Sequence, residues 1–113
     1  MPDIVAMEAV RVSYAKPRER VLGGRAVPVA EAVEVLIQTS EPIPIRALAP
    51  ALHIGDVVLT ESEPAGPLRY RFFGFEPDML QDGSEVSLGW TTAGGRRPKP
   101  TALRFGINRT EAR

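Results

Sequence analysis

The stretch AVEVLIQTS, residues 32–40, has a period of two in its side chains. Val33, Val35, Ile37 and Thr39 fall on one side of the alternation, and Glu34, Leu36 and Gln38 fall on the other. Because successive side chains of a strand point to opposite faces of the sheet, a period of two is typical of a strand with one buried face. The stretch therefore predicts a β-strand, with Val33, Val35 and Ile37 directed into the core.

The same period of two recurs along the rest of the chain, and prolines and glycines separate the runs. Eleven prolines and ten glycines lie mostly between the alternating runs, where they favour turns and disfavour long helices. Only EPDML, residues 76–80, fits a single helical turn. The further predicted strands are VRVSY (10–14), DVVLTE (56–61), LRYRFFGF (68–75), EVSLGWT (85–91) and TALRFGI (101–107).

Two double glycines mark predicted hairpin turns, VLGGRAV at 21–27 and TAGGRRP at 92–98. Tight two-residue turns between strands need positive φ angles, which glycine adopts without steric cost. Short strands at this spacing predict an all-β protein with a single domain over residues 1–113. The expected architecture is an antiparallel β-sandwich of about seven strands, with an extra hairpin ribbon near residues 20–29.

The segment LQDGSEV contains the pattern Leu80-x-x-Gly83-x-x-Val86 and leads into the predicted strand that ends at Trp90. This pattern resembles the corner before the penultimate strand of immunoglobulin-like and fibronectin type III domains. The resemblance implies an immunoglobulin-like sandwich, although Val86 occupies the place of the corner tyrosine in that family. The alternation of this strand also predicts that Val86, Leu88 and Trp90 face the core.

The amino-acid composition limits the cellular compartment and the kinds of binding site that the chain can have. The chain has no cysteine, so disulfides and thiolate metal sites are excluded. No apolar run approaches the roughly 20 residues that span a bilayer, and the first residues do not resemble a signal peptide. We therefore expect a cytoplasmic protein that does not enter the membrane.

Charge is balanced overall but uneven along the chain. The formal net charge is zero, yet residues 31–68 hold six acidic residues against one basic residue, Arg46. Such a distribution produces a dipolar surface if the segments stay apart in space. If strands from different segments interleave, the charges mix instead.

The sequence offers little support for a catalytic function. His53 is the only histidine, and no nucleophile or metal-ligand motif accompanies it. Four acidic residues within 76–85 suggest a calcium site, but they lack the spacing of a calcium-binding loop. Acidic residues are also common in turns, where they bond to the backbone. We expect no enzyme activity, no cofactor and no metal site. The four acidic residues are Glu76, Asp78, Asp82 and Glu85.

Two surfaces are candidates for binding. The ribbon is too small to bury its own apolar side chains, so these must pack on the domain or on a partner. It predicts a protein-interaction or structural module that binds a protein partner or itself, and its interface candidates are Arg20, Val21, Leu22, Arg25 and Val27. The alternative is a carbohydrate- or polyanion-binding module, with Arg96, Arg97 and Lys99 at the second turn as polyanion candidates. Nucleic acid is not expected as a partner, because the domain as a whole is not basic.

Overall fold

A computed structural model describes residues 1–44, 49–91 and 101–113 of the chain, except for the side chain of Leu22. Within these ranges the chain forms extended strands, as the alternating pattern predicts, and one short 3₁₀ turn. The elements are β1 (Ile4–Leu22), β2 (Arg25–Thr39), β3 (Pro50–Ile54), β4 (Val57–Leu59), β5 (Glu61–Gly66), β6 (Arg69–Gly74), the 3₁₀ turn Pro77–Met79, β7 (Val86–Trp90) and β8 (Arg109–Ala112).

The strands form two sheets that pack together as an all-β sandwich. One sheet has five strands in the order β5-β6-β2-β1-β8, and the other has three in the order β4-β3-β7. The predicted all-β sandwich is confirmed. The pairing differs from a wholly antiparallel arrangement at one place, because β8 runs parallel to β1.

The core lies between the two sheets and contains the apolar face predicted for β2. Val33, Val35 and Ile37 are each 0 % exposed. From the opposite sheet, Leu52 and Val86 are also fully buried against them. Trp90, which was expected in the core with Val86, is only half-buried because it lies at the last residue of β7.

The immunoglobulin-like pattern lies at a corner that leads into β7. Leu80 is buried, Gly83 has a φ of +85°, and Val86 is buried at the start of the strand. Glycine suits this φ because a Cβ would crowd the backbone of its own residue. The segment leads from β6, in the five-stranded sheet, to β7, in the three-stranded sheet, and the immunoglobulin-like relationship stays a prediction.

The ribbon is part of a long hairpin. Gly23 and Gly24, with φ of +56° and +78°, form the predicted two-residue turn between β1 and β2. The predicted ribbon near residues 20–29 is present, and its two strands are the continuations of β1 and β2 beyond the sheet. We use the term ribbon for residues 18–29, where β1 and β2 pair only with each other.

A large bulge separates the ribbon from the sheet. Ser13 pairs with Glu31 and Arg18 pairs with Val29, so residues 14–17 of β1 lie opposite Ala30 alone. Extra residues on one strand increase its twist and change the direction of the strand pair. The bulge therefore determines how the ribbon is oriented relative to the sheet.

The C-terminal segment differs from its prediction. TALRFGI was expected to form a strand, but this segment forms no regular strand. It has an isolated bridge between Glu85 and Arg104, and the Phe105 N–H donates to the carbonyl of Ser84 at 2.8 Å.

Residues Arg109–Ala112 form β8 beside β1. The Asn108 N–H donates to the carbonyl of Ala9 at 2.8 Å, and the Arg113 N–H donates to the carbonyl of Ser13 at 2.8 Å.

Asn108→Ala is expected to lower the free energy of unfolding by about 1–3 kcal/mol. The Asn108 Oδ1 accepts a hydrogen bond of 2.8 Å from the N–H of Ala9, whose residue is fully buried, and alanine leaves that donor unpaired. Urea titration measures the change. Thr110→Ala, an exposed site on the same strand, is the control and is expected to change stability by less than about 0.5 kcal/mol. Equal effects for the two variants would contradict this role of Asn108.

Candidate functional site

The predicted interface residues lie together on the ribbon, but their environments differ. Val21 is 73 % exposed and Arg25 is exposed at the turn, whereas Arg20 and Val27 are half-buried. The side chain of Leu22 lies outside the described part. The five candidates are thus neighbours, and one face of the ribbon is covered while the other is free.

Arg20 fixes the covered face of the ribbon to the sheet. Its Nε lies 2.6 Å from an Oε1 of Glu61 on β5, and its guanidinium lies 4.6 Å above the ring of Phe75. A guanidinium stacked on an aromatic ring combines dispersion with attraction to the negative face of the ring. Arg20 therefore acts as an internal clamp between the ribbon and the domain.

Arg18 extends this clamp along the outer face of the five-stranded sheet, the face turned away from the core. Its guanidinium lies 5.1 Å from the ring centre of Phe73 and 5.6 Å from that of Tyr14. Phe73 and Phe75 stack on each other, with centroids 5.9 Å apart and ring planes 5° from parallel. The result is a series of stacked rings and guanidinium groups that holds the ribbon in one orientation.

The free face of the ribbon follows from strand alternation. Arg20 pairs with Val27 on the clamped face, and the pairs on either side of it point the opposite way. These are Val21 with Ala26, and Glu19 with Pro28, and all four residues are exposed. We call this set, Glu19, Val21, Ala26 and Pro28, the free face.

Two clefts lie beside the clamp, and Arg20, Phe75 and Glu76 line both of them. The larger, of about 440 Å³, lies between the ribbon strand 27–31 and the segment that follows β6. The smaller, of about 170 Å³, lies against β4 and the start of β5. Both are shallow depressions next to the interface candidates.

A buried carboxylate organises the outer face of the sheet near the ribbon. Glu34 is 4 % exposed and accepts a hydrogen bond of 2.7 Å from the Tyr14 hydroxyl. Its Oε1 also contacts the guanidinium groups of Arg113 and of Arg71, the latter at 3.4 Å. Burial, and then the bond to Glu34, raise the pKa of Tyr14 above its ordinary value. One carboxylate thus joins β1, β2, β6 and the end of the chain.

Ion pairs continue from Glu34 in both directions across the five-stranded sheet. Hydrogen bonds from Arg109 and then Arg113 hold the pKa of Glu111 below its ordinary value. The alternating series comprises Glu8, Arg109, Glu111, Arg113, Glu34, Arg71 and Glu63.

The uneven charge along the chain does not survive folding as separate regions. Glu34, Glu61 and Glu63, from the acidic middle segment, pair with Arg113, Arg20 and Arg71 from the two flanking segments. Strand order brings these segments side by side in one sheet. The structure therefore favours the prediction in which charges mix.

His53 lies on β3, between Val58 and Ser87 on the neighbouring strands. Its Nε2 is buried and has no hydrogen-bond partner among residues 1–44, 49–91 and 101–113. Burial lowers the pKa of His53 below its ordinary value. Within those same ranges, no three histidine or acidic residues lie close enough together to hold a metal ion.

The second predicted surface lies beyond the described part of the chain. Arg96, Arg97 and Lys99, the polyanion candidates, and the turn at Gly94–Gly95 fall within 92–100. The polyanion prediction therefore stays a prediction.

Comparison with known proteins returned no match to any protein-family model, any curated protein or any solved structure. Within the described residues, no helix is long and apolar enough to cross a membrane.

Sequence reasoning missed Glu34 and the aromatic partners of Arg20. The available signal for Glu34 was a single carboxylate at the centre of the most apolar predicted strand, where a charge needs a partner. No comparable sequence signal linked Arg20 to Phe75. The two residues are far apart along the chain and meet only through the register of three strands.

Glu34→Ala is expected to lower the free energy of unfolding by about 1–3 kcal/mol, because Arg71, Arg113 and the Tyr14 hydroxyl lose a shared acceptor. The two arginine side chains are 32 % and 40 % exposed, so water replaces part of the loss. Glu63→Ala removes a more exposed partner of Arg71, and its expected cost is below about 1 kcal/mol. Urea titration of both variants compares them. A larger loss for Glu63→Ala would show that the carboxylate at 34 is not central.

Arg20→Ala is expected to release the ribbon without unfolding the domain. Amide hydrogens of residues 19–27 should exchange faster, because the variant loses both the Glu61 contact and the Phe75 stack. Amides of β2 within residues 33–38 should keep their protection. Arg25→Ala, an exposed arginine at the turn, is the matched control. Unchanged exchange in the Arg20 variant would contradict the clamp.

Proposed function

We propose that the protein is a non-catalytic β-sandwich module that binds protein, including its own copies, through the free face of the ribbon. The observation that carries this proposal is the position of Val21. It is 73 % exposed on a strand pair that extends past the sheet, and the opposite side of that strand pair is clamped to the domain. Ala26 and Pro28 are exposed beside Val21 on the same face, and a contiguous exposed apolar patch is typical of an interaction surface.

The clamp supports this proposal because it lowers the cost of binding. A free two-stranded arm loses conformational entropy when a partner orders it. The ribbon is already oriented by the Arg20–Glu61 ion pair and by the stack of Arg20 on Phe75. A partner therefore meets a preformed surface.

The non-catalytic part of the proposal rests on the environment of His53. This histidine has no hydrogen-bonded acid or nucleophile beside its buried Nε2 among the residues described, whereas acid–base and nucleophilic catalysis need such a partner. No contact in that part of the chain specifically favours the alternative of a carbohydrate- or polyanion-binding module. An immunoglobulin-like relationship rests on the Leu80–Val86 corner alone and stays a prediction.

Val21→Asp is expected to abolish self-association. Sedimentation equilibrium of the wild type from about 10 µM to about 1 mM should show a rise in average mass with concentration, in the range of weak protein contacts. The aspartate places a charge on the free face and should keep the protein monomeric. Val5→Asp is the matched control, because Val5 is 56 % exposed near the other end of β1. Wild-type protein that stays monomeric throughout, or equal loss in both variants, would contradict the proposal.

A further inference from the structure

We infer that a depression of about 210 Å³ on the outer face of the five-stranded sheet binds a small organic carboxylate. In this site Arg69 and Gln38 hold the carboxylate group, and Leu36 and Ala6 contact the apolar part of the ligand. The depression lies at the end of β1 and β2 that is opposite to the ribbon, so the inference is independent of the proposed function.

The guanidinium of Arg69 supplies the charge of this depression. On the same face of the sheet, the guanidinium groups of Arg71, Arg109 and Arg113 each contact a carboxylate. Within residues 1–44, 49–91 and 101–113, Arg69 is exposed and its guanidinium contacts no carboxylate. The planar guanidinium presents two parallel N–H groups that match the two oxygens of a carboxylate. Arg69 can therefore form with a ligand the kind of ion pair that its neighbours form within the domain.

Gln38 supplies a second donor beside Arg69. The two residues lie directly opposite each other on β2 and β6, and Ala6 lies opposite Gln38 on β1. Side chains in such pairs have Cβ atoms about 5 Å apart, so both can contact one small ligand. The Gln38 amide forms no hydrogen bond with any residue in the described part of the chain, and its NH₂ group is a donor. Two adjacent donors favour an anion at this place.

A strained residue holds Arg69 in this position. Leu68 has a φ of +58°, and no other residue except glycine has a positive φ in the described ranges. Such a conformation is disfavoured for leucine, and backbone strain of this kind clusters at ligand-binding sites. The carbonyl of Leu68 accepts a hydrogen bond of 2.8 Å from the N–H of Thr39. This bond places the start of β6 beside the end of β2, in the register that sets Arg69 opposite Gln38.

The remaining lining of the depression selects the type of anion. Leu36 is half-buried and Ala6 is exposed, so an apolar chain that covers them loses contact with water. Glu8, which also lines the depression, is paired with Arg109, and this leaves the single positive charge of Arg69 to match a monoanion. The volume is below the roughly 300–1,000 Å³ of sites for drug-sized ligands. These features favour a monocarboxylate with a short apolar chain.

Titration with sodium hexanoate, followed by ¹H–¹⁵N NMR of the protein, tests the site. The amide signals of residues 36–38 and 69–70 should shift to saturation with a Kd in the millimolar range, as expected for a ligand of about eight non-hydrogen atoms. Arg69→Gln should weaken binding at least about tenfold, because it removes the charge and the paired N–H groups. Arg104→Gln is the matched control, since Arg104 is exposed and also lacks a carboxylate partner in the described ranges. Both arginines are exposed, so thermal melting should stay unchanged in each variant.

Two comparison ligands separate the contributions of charge and chain. Hexylamine has the same chain with the opposite charge, and inorganic phosphate has negative charge without a chain, so each should bind at least about tenfold more weakly than hexanoate. Equal binding of phosphate would overturn the assignment to an organic carboxylate, and equal binding of hexylamine would overturn the role of Arg69. Absence of saturable shifts, or equal loss in the two arginine variants, would overturn the site itself. None of these results changes the expected association through Val21.

Discussion

The buried carboxylate of Glu34 is the interaction on which the outer face of the five-stranded sheet depends. A charge at 4 % exposure is stable only with partners, and Glu34 has three: Tyr14, Arg71 and Arg113. Two of them come from segments far away along the chain. Tyr14 lies in the bulge after Ser13 and Arg113 directly follows β8, so Glu34 links both places to β2. The ribbon begins immediately beyond this bulge.

The ribbon is fixed to the domain on one face and exposed to solvent on the other, and these two features have one cause. Alternation along paired strands places Arg18 and Arg20 on one side and Val21 on the other. Once the two arginines stack on Tyr14, Phe73 and Phe75, the second side must face solvent. The exposure of Val21 is thus a consequence of the clamp. The rigidity of the clamped ribbon makes its free face suitable for recognition.

Mixing of charge explains how a chain with an acidic middle segment forms a sheet with an ordered series of ion pairs. Strands from three regions of the sequence lie next to one another, so the series of ion pairs from Glu8 to Glu63 alternates in sign across the sheet. Exposed pairs of this type contribute little each to stability.

Short-range sequence patterns determined most of the secondary-structure elements. The alternation of Val33, Val35 and Ile37 was sufficient to predict β2 and its buried face, since strand periodicity depends only on neighbouring residues. Gly23 and Gly24 were sufficient to predict the hairpin, because their positive φ is a property of glycine itself. Tertiary structure alone decided the parallel β8, the burial of Glu34, the partial exposure of Trp90 and the free side of the ribbon. Each of these features depends on the register between strands that are distant along the chain. That register is selected by the pairing energy between strands, which no local sequence pattern encodes.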